Sequence, residues 1–239
     1  MAKFVWLVLG KDGVEPGEFR ELLLRDAGKV AQRLLPTTAE AVVTPQEPEK
    51  FSSATVDPGS GDRPFDAAIE VTTADDWPLL DPFQGYLGSI SRYIAGWRVH
   101  PTVIRDGRSP QARGEQSELP TLYIFIERRD GVTPEFFSHN WYIHAGHPDG
   151  QEVENDEARA KRRVAESSPG ALYVQNRVLE SIGPTPWVTH GFTKLAMPDF
   201  VPAEGYDDPD TRERMRRPGE APFDRWPARI LQGYACQVV

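Results

Sequence analysis

The sequence predicts an α+β fold assembled twice over in one chain, and three observations carry that prediction. First, Asp12-Gly-Val-Glu-Pro-Gly-Glu-Phe19 recurs as Asp130-Gly-Val-Thr-Pro-Glu-Phe-Phe137, each copy following an apolar run, Phe4–Leu9 or Leu122–Ile126. Second, the register holds further along: Phe65–Val71 corresponds to Thr189–Leu195, and Ile94–Trp97 to Leu231–Tyr234. Third, residues 106–119 between the halves are polar and bear Gly and Pro, the composition of a join. A repeat of this length decides the architecture before any single element does.

Each element follows in order. The run Phe4–Leu9 reads as a strand, Asp-Gly as a turn, and Pro16 or Pro134 as the first turn of a helix, where its fixed φ suits a helix start. From Glu18 through Leu22, Leu23, Val30 and Leu34 the apolar spacing is that of an amphipathic helix, which Pro36 ends. Strands are expected at Ala39–Thr44, Phe65–Val71 and Ile94–Trp97, with a second helix within Asp75–Ser91. In the second half the matching helix falls within Pro198–Arg217. Each half therefore reads β-α-β-β-α-β, the ferredoxin-like split βαβ unit. Helices cover one face of such a sheet, and the other face needs a partner. Two units in one chain supply it to each other, giving two sheets across a shared interior, with units at 1–108 and 119–239. The segments Gln46–Arg63, Pro148–Asp156 and Glu204–Phe223 read as surface insertions.

Composition bounds the function. The 239 residues are 39% hydrophobic, 26% charged and 10% aromatic, which suits a folded soluble domain and not a disordered chain. With 27 Lys and Arg against 36 Asp and Glu, the formal net charge is −9, so nucleic acid is not the expected partner. No eighteen-residue apolar run or basic leader marks membrane insertion or export, and the cytoplasm is the expected location. The single Cys236 excludes an internal disulfide and a Cys-rich metal site. Dinucleotide, Walker A and nucleophile-elbow motifs are absent.

In the second copy, Phe137-x3-Trp141-x2-His144-Ala145, followed by Tyr173-Val-Gln-Asn176, resembles the EthD domain family of the dimeric α/β-barrel superfamily. The resemblance covers about Leu122–Leu195. It weakens in the first half, which lacks the Trp and His and looks like a diverged copy, and a long insertion, Pro148–Ser168, departs from the usual pattern. What the resemblance implies is two ferredoxin-like βαββαβ units in a dimeric-α/β-barrel-like arrangement, with a pocket between sheet and helices and no cofactor. Members look like enzymes or accessory proteins acting on small aromatic, polyketide-like or ether compounds, some resembling dehydratases or decarboxylases. Fold alone does not fix the reaction. A tandem chain already pairs its own units, yet it could pair again as a homodimer.

Candidate residues come from spacing as well. At 100° per residue, Phe137 and His144 lie within about 20° of each other and Trp141 about 40° away, on one helix face. A histidine beside two aromatics can act as a neutral base near physiological pH, and the same spacing also fits a core histidine bonded to a backbone carbonyl. The repeat sets Asp26 opposite His144, as a second polar group in the interior or as a carboxylate paired with Arg25 or Arg33. His190 and Phe192, two apart in a strand, should share a face. Asn176 can orient a carbonyl or hydroxyl, while Tyr123, Trp141, Tyr173, Trp187 and Phe192 can stack an aromatic ligand or simply fill the core. His139, His144 and His147 are poorly spaced for a helical metal site, so no metal is assigned. The expected function is a cofactor-independent lyase, dehydratase or isomerase. His144 would move the proton, with Asp26 or His190 as second polar group. The alternatives are a non-catalytic ligand-binding or stress-associated protein and a haem-dependent enzyme.

Overall fold

The computed structural model describes residues 1–46, 65–74, 77–106, 120–128, 130–138, 172–183, 189–196 and 223–239. The two Asp-Gly turns repeat in three dimensions: Gly13 and Gly131 take φ of +84° and +80°, a region glycine enters without steric cost. After the first turn, Pro16 opens the helix at its N-terminus and Pro36 bars its continuation. The elements are β1 (Ala2–Gly10), α1 (Pro16–Leu34), β2 (Thr38–Pro45), β3 (Ala67–Thr73), α2 (Trp77–Ile90) and β4 (Ser91–Asp106). The second half contributes β5 (Pro120–Arg128), β6 (Leu172–Ile182), β7 (Gly191–Ala196), β8 (Phe223–Tyr234) and β9 (Cys236–Gln237).

All these strands form one antiparallel sheet in the order β8-β5-β7-β6-β4-β1-β3-β2-β9. The order repeats: β4-β1-β3-β2 in the first half and β8-β5-β7-β6 in the second, each being fourth, first, third, second. This is the ferredoxin-like arrangement twice, as the repeat predicts. The halves meet where β4 pairs β6, and β8 runs on into β9, which pairs β2 through Val42↔Gln237 and Val43↔Cys236. The sheet thus curls into a barrel closed within one chain, which leaves few unpaired edges.

Two strands are longer than the apolar runs that predict them. β4 spans sixteen residues because its first part pairs β1 and the rest pairs β6, so partners on both sides extend it beyond Ile94–Trp97. β8 likewise runs beyond Leu231–Tyr234 along β5. The join at 107–119, the insertion at 148–168, the segments 47–63 and 204–222, and the second-half helix within 198–217 lie outside the described residues.

Strand alternation divides the core into two layers. On the outer face Phe4, Trp6, Val8, Ile69 and Val71 pack against Phe19, Leu23 and Ala27 of α1 and Leu80, Phe83 and Leu87 of α2. On the inner face Val5, Leu7, Ala95, Trp97, Tyr123, Phe125 and Phe192 meet across the barrel. Among the described residues no helix is long and apolar enough to cross a membrane.

Candidate functional site

The inner face follows from the pleat. In β5, Tyr123 and Phe125 point inward while Ile124 and Ile126 point outward, and the cross-strand partners Lys194 and Phe192 of β7 take the inward side with them. Asn176 of β6 stands directly opposite Phe192, so it too faces inward. Phe125 and Phe192 lie 5.2 Å apart by ring centroids, Tyr123 and Phe192 6.2 Å, and Trp97 reaches Phe125 at 6.0 Å.

Into this apolar interior the strands place an ionic cluster. Glu70 of β3, 3% exposed, is bridged by Lys3 of β1 and by Lys194 of β7, the latter at 2.5 Å. The Tyr123 hydroxyl donates to the same carboxylate and lies 3.2 Å from Thr44 Oγ1 of β2. The Lys194 ammonium also sits 5.6 Å from the centre of the Tyr123 ring. One carboxylate therefore ties β1, β3, β5 and β7 together across the barrel.

Burial and charge set the protonation states. Burial alone would push the Glu70 carboxyl up, but Lys194 and then Lys3 outweigh it and hold it well below the usual carboxylate range. Burial, reinforced by the Glu70 charge, pushes the Tyr123 phenol well up, so it stays a donor. Burial lowers Lys194, with Glu70 opposing. Asn176 is fully buried, yet neither its carboxamide oxygen nor its nitrogen has a hydrogen-bond partner, and the Trp97 indole nitrogen and Tyr93 hydroxyl are in the same state. Native interiors leave few polar groups unpaired, so several around one interior call for a reason.

The predicted site residues separate onto two sides of the sheet. Tyr123, Asn176 and Phe192 come together inside. Tyr173 lies three residues before Asn176 on the same strand, and so on the opposite face. Phe137, in the helical turn 134–138, packs on Ile126 on that outer side. The shared face expected of His190 and Phe192 is not what forms: the His190 ring meets Phe137 edge-on at 6.0 Å, while Phe192 packs on Phe125 and Tyr123. His190 immediately precedes β7, where the pleat no longer dictates its direction, and its Nδ1 accepts the Arg128 backbone N–H, which puts the ring proton on Nε2. Asp26 also sits outside the barrel, on α1, where Arg25 pairs with it at 2.8 Å and holds its carboxyl below the usual range. Trp141, His144 and Trp187, with His139 and His147, lie outside the described residues.

Glu70, Lys194, Lys3 and Thr44 escaped the sequence reading. The available signal was a charge at an inward position of an apolar strand, Glu70 within Ala-Ala-Ile-Glu-Val and Lys194 within Phe-Thr-Lys-Leu, since such a charge demands a buried partner. Among the described residues no three His, Cys, Asp or Glu side chains gather as a metal site would require.

No family profile and no curated protein matches the sequence. Solved structures do. A haem-complexed variant of Rhodococcus jostii DypB aligns over 98% of this chain and 92% of its own, with 11% identity and a TM-score of 0.52. A dye-decolorizing peroxidase from Bacteroides thetaiotaomicron aligns over 99% and 93%, with 8% identity and a TM-score of 0.50. At such identities the likeness establishes the fold, an α+β barrel with a curled antiparallel sheet, and nothing finer.

Proposed function

We propose that this barrel is an enzyme that moves a proton on a small, largely aromatic molecule held in its interior. One observation carries the reading: a barrel that could be filled with apolar side chains instead buries Glu70, Lys194 and Tyr123 in contact, beside an Asn176 carboxamide with no partner. Unpaired buried polar groups beside charges of perturbed pKa are features that mark functional sites. Lys194, lowered by burial, is the group able to exchange a proton. Glu70 remains the counter-charge, and Tyr123 stays protonated as a donor. Asn176 orients a carbonyl or hydroxyl, with Phe125, Phe192 and Trp97 as the wall. Lyase, dehydratase and isomerase chemistry all fit this set.

The test is native mass spectrometry of freshly purified protein with identification of any released molecule, then turnover of that molecule by variants. Lys194→Met should remove turnover while circular dichroism stays native. Unchanged turnover overturns the reading, and release of an unaltered compound that no variant affects favours a binding protein.

A second reading keeps the site on the helix side, as the EthD resemblance implies, with His144 as the proton-transfer residue. It is favoured by the Phe137–His190 contact, which pairs an aromatic with a histidine seven positions before His144 in the sequence. Loss of turnover in His144→Ala but not in Lys194→Met would select it. Among the described residues no histidine stands ready to hold a haem iron: His100 is exposed, and His190 packs on Phe137 and accepts the Arg128 backbone N–H.

A further inference from the structure

We infer that His190 is a pH-sensitive clasp, which ties the end of β5 and the turn 130–138 to the start of β7 while its ring is neutral and lets them go in mildly acidic solution, whereas the matching clasp of the first half stays shut. The clasp works in the same way whichever face of the sheet binds substrate.

The repeat supplies the comparison. Asp66 stands just before β3 as His190 stands just before β7, and the backbone around the two is bonded alike. The Asp66 N–H donates to the Val8 carbonyl at 2.8 Å, and the His190 N–H to the Ile126 carbonyl at 3.1 Å. The Asp66 carbonyl accepts the Gln46 N–H at 2.7 Å, and the His190 carbonyl accepts the Val178 N–H at 3.1 Å. In each half the side chain then takes one more N–H, from the residue two positions before the Asp-Gly turn: Gly10 gives to Asp66 Oδ2 at 2.8 Å and Arg128 to His190 Nδ1 at 3.1 Å. The first phenylalanine of the repeat leans on one clasp and the second on the other. A Cβ at Gly10 would meet the Phe19 ring at 3.0 Å and Asp66 Oδ2 at 3.3 Å, while the Phe137 ring meets His190 edge-on at 6.0 Å. The geometry is thus built twice, and the acceptor is what differs.

That difference decides the response to pH. A backbone N–H can only donate, so each clasp needs an acceptor. A carboxylate ordinarily keeps its acceptor oxygens down to about pH 4, but an imidazole nitrogen accepts only while the ring is neutral, and a histidine ordinarily takes up its second proton at about pH 6.5. With both ring nitrogens protonated, Nδ1–H would face the Arg128 N–H, donor against donor. The turn follows the strand end, because the Arg128 guanidinium donates to the Val132 carbonyl within it.

The charged residues on the packed elements are Glu127 and Arg128 on β5, Asp130 and Glu135 in the turn, Arg177 on β6 opposite Gly191, and Lys194 on β7, which points into the barrel. Asp130 and Glu135 are exposed. Carboxylates, guanidinium groups and ammonium groups ordinarily keep their charge between about pH 5 and 8, so a transition in that window belongs to a histidine.

Hydrogen exchange of the backbone amides, read by NMR on the full chain between pH 8 and pH 5, tests this. Gly10 and Arg128 are equivalent amides in one molecule, so Gly10 is the internal control. The ratio of Arg128 to Gly10 protection should fall at least about fivefold as the pH drops, the size of one lost hydrogen bond. Its midpoint should coincide with that of the His190 ring-proton resonances. His190→Asn, whose amide oxygen accepts at every pH, should hold the ratio level, and His190→Asp, which copies the first half, should do the same if the Asn variant fails to fold. A level ratio in wild type, a midpoint apart from that of the His190 ring, or a fall that persists in either variant overturns the clasp.

Discussion

Replacing Glu70 by Gln removes one charge and almost no volume, so its effect isolates the ionic cluster. In the native protein the carboxylate is 3% exposed and is the contact partner of both Lys3 and Lys194. Gln leaves the two ammonium groups in a closed barrel without the carboxylate they share, Glu40 acting on Lys194 only at longer range. Stranding a buried charge in this way costs about 3–5 kcal/mol, against a total stability of about 5–15 kcal/mol for a typical domain. For a chain of this size that corresponds to a fall in Tm of about 6–20 °C. Urea unfolding followed by circular dichroism gives the free energy directly. The double variant Glu70→Gln with Lys194→Met removes one stranded charge and should recover part of the loss, because contacting residues are not additive. A loss below about 1 kcal/mol is the size of an exposed ion pair and would refute the cluster's burial.

Other expectations follow from the same contacts. Lowering the pH should destabilise the protein: the Glu70 pKa is depressed on folding, so its contribution is complete above the ordinary value of 4.5 and is lost as pH falls through the folded value, seen as a declining Tm. Tyr123→Phe deletes the hydroxyl shared by Glu70 and Thr44 and should cost about 1–3 kcal/mol in urea unfolding without disturbing the ring packing. Asn176→Leu should raise Tm while weakening ligand binding, since the carboxamide is buried without a partner; a lower Tm with intact binding would assign it a structural role. Gly28→Ala should lower Tm, because the new Cβ would fall 2.4 Å from the Val238 carbonyl oxygen, where the chain end packs on α1 beside the closing strand.

The architecture was legible because it is written twice. The Asp-Gly-Val-x-Pro repeat fixes where strand gives way to helix, and the ferredoxin-like order follows from that pattern. What local spacing could not convey was which face of the sheet becomes the inside. Tyr123, Asn176 and Phe192 converge as expected, whereas the odd offset of Tyr173 from Asn176 sends it to the other face. Glu70 and Lys194 are 124 residues apart in sequence, and only barrel closure brings β3 against β7. No local motif encodes that meeting; an inward charge on an apolar strand only announces that a partner must exist.

The central claim, that the interior is the site, is tested most directly by indole N–H resonances. Trp97 faces the interior and Trp6 the helix layer, so the two indoles report on opposite sides of one sheet. Their signals can be assigned through Trp97→Phe and Trp6→Phe. On titration with a small aromatic compound released from the purified protein, the account predicts a saturable shift of Trp97 with Trp6 unmoved. A shift confined to Trp6 and the helix-side residues, with Trp97 silent, would contradict it.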